Sequence, residues 1–167
     1  MKYKLIKDVI KYMSKSKIKA GEGLEKGLYP FFTSSPIQNK YYDEYIYDEE
    51  CIIIGTGGQA TIHYYKGKFS TSTDNFVVKF NGYNMRFIYH YLQANINILE
   101  SKFKGAGLKH ISKDGLESIL LPDIEMEEQA RICNIMDKVY SEITIKKNEI
   151  CKLDLLTKSQ FVWEATL

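Results

Sequence analysis

The chain has 167 residues, 44% of them hydrophobic and 26% charged, with a formal net charge of +2. That length holds one domain of ordinary size plus an extension, and the composition is that of a globular protein. No apolar run approaches the roughly 18 residues of a membrane span, and the start, MKYKLIKDVIKYM, scatters Lys through its apolar part with no small-residue cleavage site, which excludes a secretory signal. Cys51, Cys133 and Cys151 have no CxxC spacing, so free thiols in a reducing cytoplasm are expected, not a disulfide frame or a zinc site. Charge is uneven along the chain. Residues 1–20 hold seven Lys and one Asp, whereas Asp43, Glu44, Asp48, Glu49 and Glu50 carry −5 within eight residues. A basic patch attracts phosphate while an acidic loop faces elsewhere, although a Lys-rich terminus is also ordinary solvated surface.

Leu5, Ile6, Val9, Ile10 and Met13 recur at helical spacing and predict a short amphipathic helix with Lys outside. A Gly/Lys-rich loop follows, then LYPFFTSS, where Tyr29, Phe31 and Phe32 predict a strand that Pro30 places at an edge or a strand start. Ile52, Ile53 and Ile54 form a β-branched run that ends at Gly55, Gly57 and Gly58, the pattern of a buried strand entering a tight turn. TIHYYKGKFS reads as a hairpin turning at Lys66-Gly67-Lys68, and FVVKF as another strand. Residues 85–99 predict a helix through Phe87, Ile88, Tyr91, Leu92 and Ile96. KFKGAGLKHIS is loop, and 116–122 is a short helix or strand leading out.

From Pro122 to about Trp163 no Gly or Pro intervenes. Ile132, Met136, Val139, Ile143, Ile150 and Leu153 fall in the alternating steps of a coiled-coil seam, and Lys146, Thr157 and Gln160 keep its register. A helix of roughly 37 residues is about 55 Å long, and its apolar stripe needs a cover. The cover is either a partner helix or the chain's own domain. Ile145, Leu155 and Leu156 widen the stripe. The expected division is a domain over 1–122 and a dimerising spacer helix over 123–167.

His63, His90 and His110 are scattered, with no second His or Cys at metal-ligand spacing, so no metal site is expected. The carboxylates of 43–50 cluster in one tyrosine-rich run with nothing to split their pKa values, which argues against a general acid/base pair and against an enzyme. GTGGQ lacks the Walker Lys-Ser/Thr and precedes a strand, which rejects a nucleotide loop. Several short polar or basic segments remain: Thr33-Ser34-Ser35, Gln59 and Thr61 with His63, Lys66 and Lys68 with Ser70, Thr71 and Ser72, and Lys104 with Lys109 and His110. Such side chains reach base edges and phosphates, and they are equally the side chains of ordinary loops.

The order of GLYPFFTSS (27–35), IIIGTGGQATIHYYKGKFSTSTDN (52–75), GLKHISKDGLESILLPDIEMEEQARI (107–132) and the long helix resembles the specificity (S) subunits of type I restriction-modification enzymes. In that family a target recognition domain ends in a segment like "l..i.lP.p...EQ..I", here Leu116, Ile119, Leu121, Pro122, Ile124, Glu128, Gln129 and Ile132. The resemblance implies an α+β fold: a small mixed β-rich target recognition domain, then a long C-terminal α-helix in an antiparallel coiled coil. It implies a non-catalytic, cytoplasmic subunit that reads double-stranded DNA through the polar segments above, with no cofactor of its own. The implied partners are a methyltransferase subunit carrying S-adenosylmethionine and a motor/nuclease (restriction) subunit. Family members usually carry two recognition domains and two helices, and this chain has one of each. It looks like a half-subunit whose seam pairs with a second copy, each chain reading half of a bipartite site. The competing reading is a coiled-coil dimeric scaffold that binds no DNA.

Overall fold

The computed structural model describes the backbone of residues 2–164 and the side chains of residues 2–159. The chain divides into two compact units, one over residues 1–130 and one from Arg131 onward.

The N-terminal stretch departs from expectation. Strand β1 (Tyr3–Leu5), a single 3-10 turn at Ile6–Asp8 and strand β2 (Ile10–Tyr12) replace the amphipathic helix. Ile6, Val9 and Ile10 are β-branched, and long-range pairing overrides the local period. β1 pairs antiparallel with Leu120–Pro122 and β2 with Asn75–Phe80, while Ile6 donates its backbone N–H to the carbonyl of Ile119 at 2.9 Å. Ile6 and Val9 are thereby buried between the two ladders.

Strands β3 (Tyr29–Phe32), β4 (Lys40–Tyr42), β5 (Tyr47–Gly55), β6 (Ile62–Thr71) and β7 (Asn75–Phe80) complete a six-stranded sheet in the order β2-β7-β5-β6-β3-β4. Only β3 and β6 run parallel; Pro30 is the second residue of its strand. Central β5 is buried on both faces from Cys51 to Gly55, which is why its sequence is a continuous apolar run and not an alternating one. Cys51 and Ile53 join Phe32, Tyr47, Phe69 and Val77 in one core, where burial pushes the Cys51 thiol up to about 11. On the other face lies helix α1 (Met85–Ala94), capped by the Asn84 side chain, which accepts from the N–H groups of Arg86 and Phe87. Tyr89 of α1 meets the ring of Tyr64, the register partner of Ile52.

Lys66-Gly67-Lys68 is not a hairpin turn. β6 runs straight through it in sequence but bends there, because Gly67 takes a φ of +128°. Six residues of extended strand cover about 20 Å. Yet the ring of Phe32 lies 5.2 Å from that of His63 and 5.7 Å from that of Phe69, at either end of such a stretch. β6 therefore curls around Phe32. The opposite charges of Glu50 and Lys66, and of Asp48 and Lys68, face each other across the ribbon and hold its register.

After α1 the expected single helix breaks at Asn95, whose side-chain amide donates to the carbonyl of Tyr91, and continues as α2 (Ile96–Glu100). Strands β8 (Phe103–Lys104) and β9 (His110–Ile111) make a small hairpin, and α3 (Lys113–Glu117) leads to β10 (Leu120–Pro122), the partner of β1. Helix α4 (Met126–Glu164) has 39 residues, with Glu127 and Glu128 in its first turn. From Lys138 to Ser159 every side chain is exposed, the seam residues Val139, Ile143, Ile150 and Leu153 by 43–61%. Ile132 and Met136 are half-buried. The side chains of Gln160 and Trp163 lie outside the described residues.

The first turn of α4 belongs to the domain because of Gln129, which is 1% exposed. Its Oε1 accepts from the Asn84 N–H at 2.8 Å, and its Nε2 donates to the carbonyl of Ile124 at 2.9 Å. Replacing Gln129 by Ala strands both groups in the interior, at a cost of about 2 kcal/mol. Urea unfolding is expected to show a lower midpoint at an unchanged slope, and an unshifted midpoint would refute this role.

Candidate nucleic-acid interface

The curl of β6 brings together segments far apart in the chain. Ser34 Oγ donates to the Asp74 carbonyl at 2.5 Å, and that carbonyl also receives the Thr56 N–H at 2.9 Å. The end of β3, the β5–β6 turn and the β6–β7 turn thus share one acceptor. Gly55 has no room for a side chain, since a Cβ there would lie 2.1 Å from Thr61 Oγ1 and 3.0 Å from the Ser34 Cα. The β8–β9 hairpin docks on the same turn: Gly58 donates its N–H to Lys109 at 2.9 Å, and Ile111 donates to Thr56 at 3.0 Å. Four loops are fixed along one edge, three of them by backbone hydrogen bonds and the loop after β3 by the Ser34 hydroxyl, the frame a reading surface needs.

The predicted site residues divide three ways. Thr61, Ser70, Thr71 and Ser72, expected at the surface, are at most 4% exposed and lie inside the domain. Ser70 Oγ donates to the Glu44 carbonyl, and Ser72 Oγ accepts from Asn75 Nδ2 at 2.9 Å. Asn75, which the sequence reading passed over, also donates to the Phe32 carbonyl and pins the β6–β7 turn to the end of β3. Lys66 and Lys68 are exposed but sit in the middle of the β5–β6 ribbon, Lys66 beside Glu50 and Lys68 over the Tyr45 ring, away from the loop edge. Thr33, Ser34, Ser35 and His63 are half-buried at the edge, and Gln59, Lys104, Lys109 and His110 are exposed along it. Gln59 and Lys109 line a shallow cavity of about 210 Å³ with Gly58, Ala60, Glu100 and Phe103. A larger polar cleft of about 650 Å³ beside the start of α1 holds Lys66 and Lys79, but Glu50 and Glu49 pair with them. Among the described residues no three His, Cys, Asp or Glu side chains converge as a metal site, and no helix is long and apolar enough to cross a membrane.

The family described as "Type I restriction modification DNA specificity domain" matches this chain over residues 1–155. The chain belongs to that family. Three solved structures share the fold. An S subunit of the type I restriction-modification system from M. genitalium superposes with a TM-score of 0.72 at 16% identity, over 84% of this chain and 39% of that one. A structure titled for complex assembly and conformational transition of the type I R-M system gives 0.68 at 13% identity, over 88% and 40%. The HsdS subunit from Thermoanaerobacter tengcongensis gives 0.62 at 14% identity, over 86% and 38%. The chain spans about two fifths of the length of these structures. The specificity domain is thus an α+β unit, a β-rich head followed by a long helix, as its sequence predicts.

His63 gives the loop edge of this specificity domain a pH dependence. Its Nε2–H donates to the Ser35 carbonyl at 2.8 Å and its ring packs on Phe32, and burial holds its pKa below the usual imidazole value, outweighing that hydrogen bond. Below the unfolded value of about 6.5 the unfolded chain takes up the proton first. Stability therefore falls as pH drops from there through the folded pKa. His90, also lowered by burial, adds to the same slope. In chemical unfolding between about pH 7 and pH 5, His63→Gln is expected to flatten the slope, and an unaltered slope would remove His63 from this role.

Proposed function

We propose that this chain is the DNA-reading component of a type I restriction-modification system, recognising one half of a bipartite target and carrying no chemistry itself. The reading rests on one observation above the rest: a specificity domain holds four loops in a hydrogen-bonded row, with Gln59, Lys104, Lys109 and His110 exposed along it. Lysines on such an edge meet phosphates, and an amide with two donors and an acceptor meets a base edge. Thr33, Ser34 and Ser35 contribute backbone and hydroxyl contacts at the margin. Among duplexes of random sequence, binding falls steeply with salt, and Lys109→Ala lowers the slope of log K against log salt by about one. Gln59→Ala leaves that slope alone and relaxes preference at one base pair, by about 1–3 kcal/mol. Salt-insensitive or absent binding would instead favour a dimeric scaffold.

The long helix supports a two-fold assembly. A rod of 39 residues is about 58 Å long, more than the roughly 34–36 Å of one duplex turn. The exposed Val139, Ile143, Ile150 and Leu153 are covered by the same helix of a second copy, antiparallel to the first, so that two heads read an inverted repeat. A methyltransferase subunit supplies S-adenosylmethionine and the reaction, meeting the rod along Ile145, Leu155 and Leu156, and a restriction subunit joins that complex. Val139→Asp with Ile143→Asp should convert a two-chain particle to a one-chain particle in sedimentation equilibrium. A parent protein that stays a single chain at every concentration, with or without the methyltransferase, would end this reading.

A further inference from the structure

One apolar side chain of the head is placed where solvent alone gives it no purpose. Leu108 is 69% exposed, near the tip of the five-residue loop 105–109 that closes the β8–β9 hairpin. Leu28 and Ile37 are as exposed, but Leu28 precedes Tyr29, whose ring packs on Tyr45 within the acidic stretch 43–50, and Ile37 sits in a loop, 33–39, that carries no Lys or Arg. The surroundings of Leu108 have the opposite sign. Between Glu100 and Lys113 the chain carries Lys102, Lys104, Lys109, His110 and Lys113 against the single carboxylate of Glu100, which lines the same cavity as Lys109.

The base of the loop is fixed. Gly105 takes a φ of +146°, and a Cβ there would lie 2.7 Å from the Leu108 carbonyl oxygen, so the chain doubles back tightly just before the leucine. Below the tip, Phe103 and Ile111 are buried opposite each other, and the Gly58 N–H ties Lys109 to the β5–β6 turn. An apolar side chain on a hairpin with a fixed base, between cations, matches the wedges by which minor-groove proteins part a base step, with the cations on flanking phosphates.

We propose that Leu108 is such a wedge: it enters the duplex from the minor groove and partly unstacks one base step, with Lys104 and Lys109 on the phosphates to either side. The inference rests on the reading of this domain as a DNA reader. It adds a requirement on the target, since pyrimidine–purine steps of the TA and CA/TG kind unstack most easily. The half-site should contain one at a fixed position.

The test uses the full chain without any methyltransferase, so that no enzyme flips a base out of the stack. A bound duplex is selected from a randomised pool, and each adenine is replaced in turn by 2-aminopurine. The expected result is a fluorescence rise at one pyrimidine–purine step when the parent protein binds. Leu108→Ala should abolish that rise and weaken binding about tenfold, with the salt slope and the melting temperature unchanged, whereas Leu108→Met should retain the rise. No rise at any position with the parent protein bound, or the same rise with Leu108→Ala, would overturn the wedge while leaving DNA reading intact. Failure of the parent protein to bind duplex in a salt-dependent way would overturn the reading beneath it.

Discussion

The architecture of the head depends on how far β6 can bend. A ten-residue strand paired with β5 would, if straight, leave its end at Thr71 a sheet's length from Gly55. Gly67, in a conformation other residues adopt only under strain, lets the ribbon curl around Phe32 instead. The β6–β7 turn can then give the Asp74 carbonyl to both Ser34 and Thr56. Everything at the loop edge follows from that closure. Without it the polar segments would lie on separate ends of the molecule.

Burial explains how a surface and its scaffold divide residues of the same chemical type. Ser34 and Ser72 are both small hydroxyls in short loops, and both hydrogen-bond within the domain. Ser72 is wholly enclosed because Asn75 and the end of β3 close over it, while Ser34 keeps part of its surface at the edge. The buried Ser70 and Ser72 hydroxyls and the Asn75 amide nitrogen are hydrogen-bonded to groups of neighbouring loops, so these three residues double as fasteners between loops. A rigid edge keeps the conformational cost of binding low.

The rod poses a different problem. A helix with an exposed apolar stripe of this length is not stabilised by its own hydrogen bonds alone, and the side chains from Lys138 to Ser159 are exposed. Gln129 fastens the helix start to the 82–84 turn, whereas the residues from Lys138 on leave their apolar stripe exposed.

The sequence by itself determined the long helix, the buried β5, the strands at 29–32 and 75–80, and the resemblance that family membership upheld. Each is a property of local period or of an ordered motif, and neither needs knowledge of distant neighbours. Tertiary structure alone decided the rest. The stretch 3–12 became two strands because β10 and β7 offered ladders, and Lys66-Gly67-Lys68 stayed within β6 because β5 pairs with it without a break. Which hydroxyls face outward depended on Asn75 and on the curl of β6, contacts separated by up to some forty residues that no window of sequence contains. Hydrogen bonds and pairing at that range are set by closure of the whole sheet, so only the folded chain distinguishes Gln59 on the edge from Thr61 beneath it.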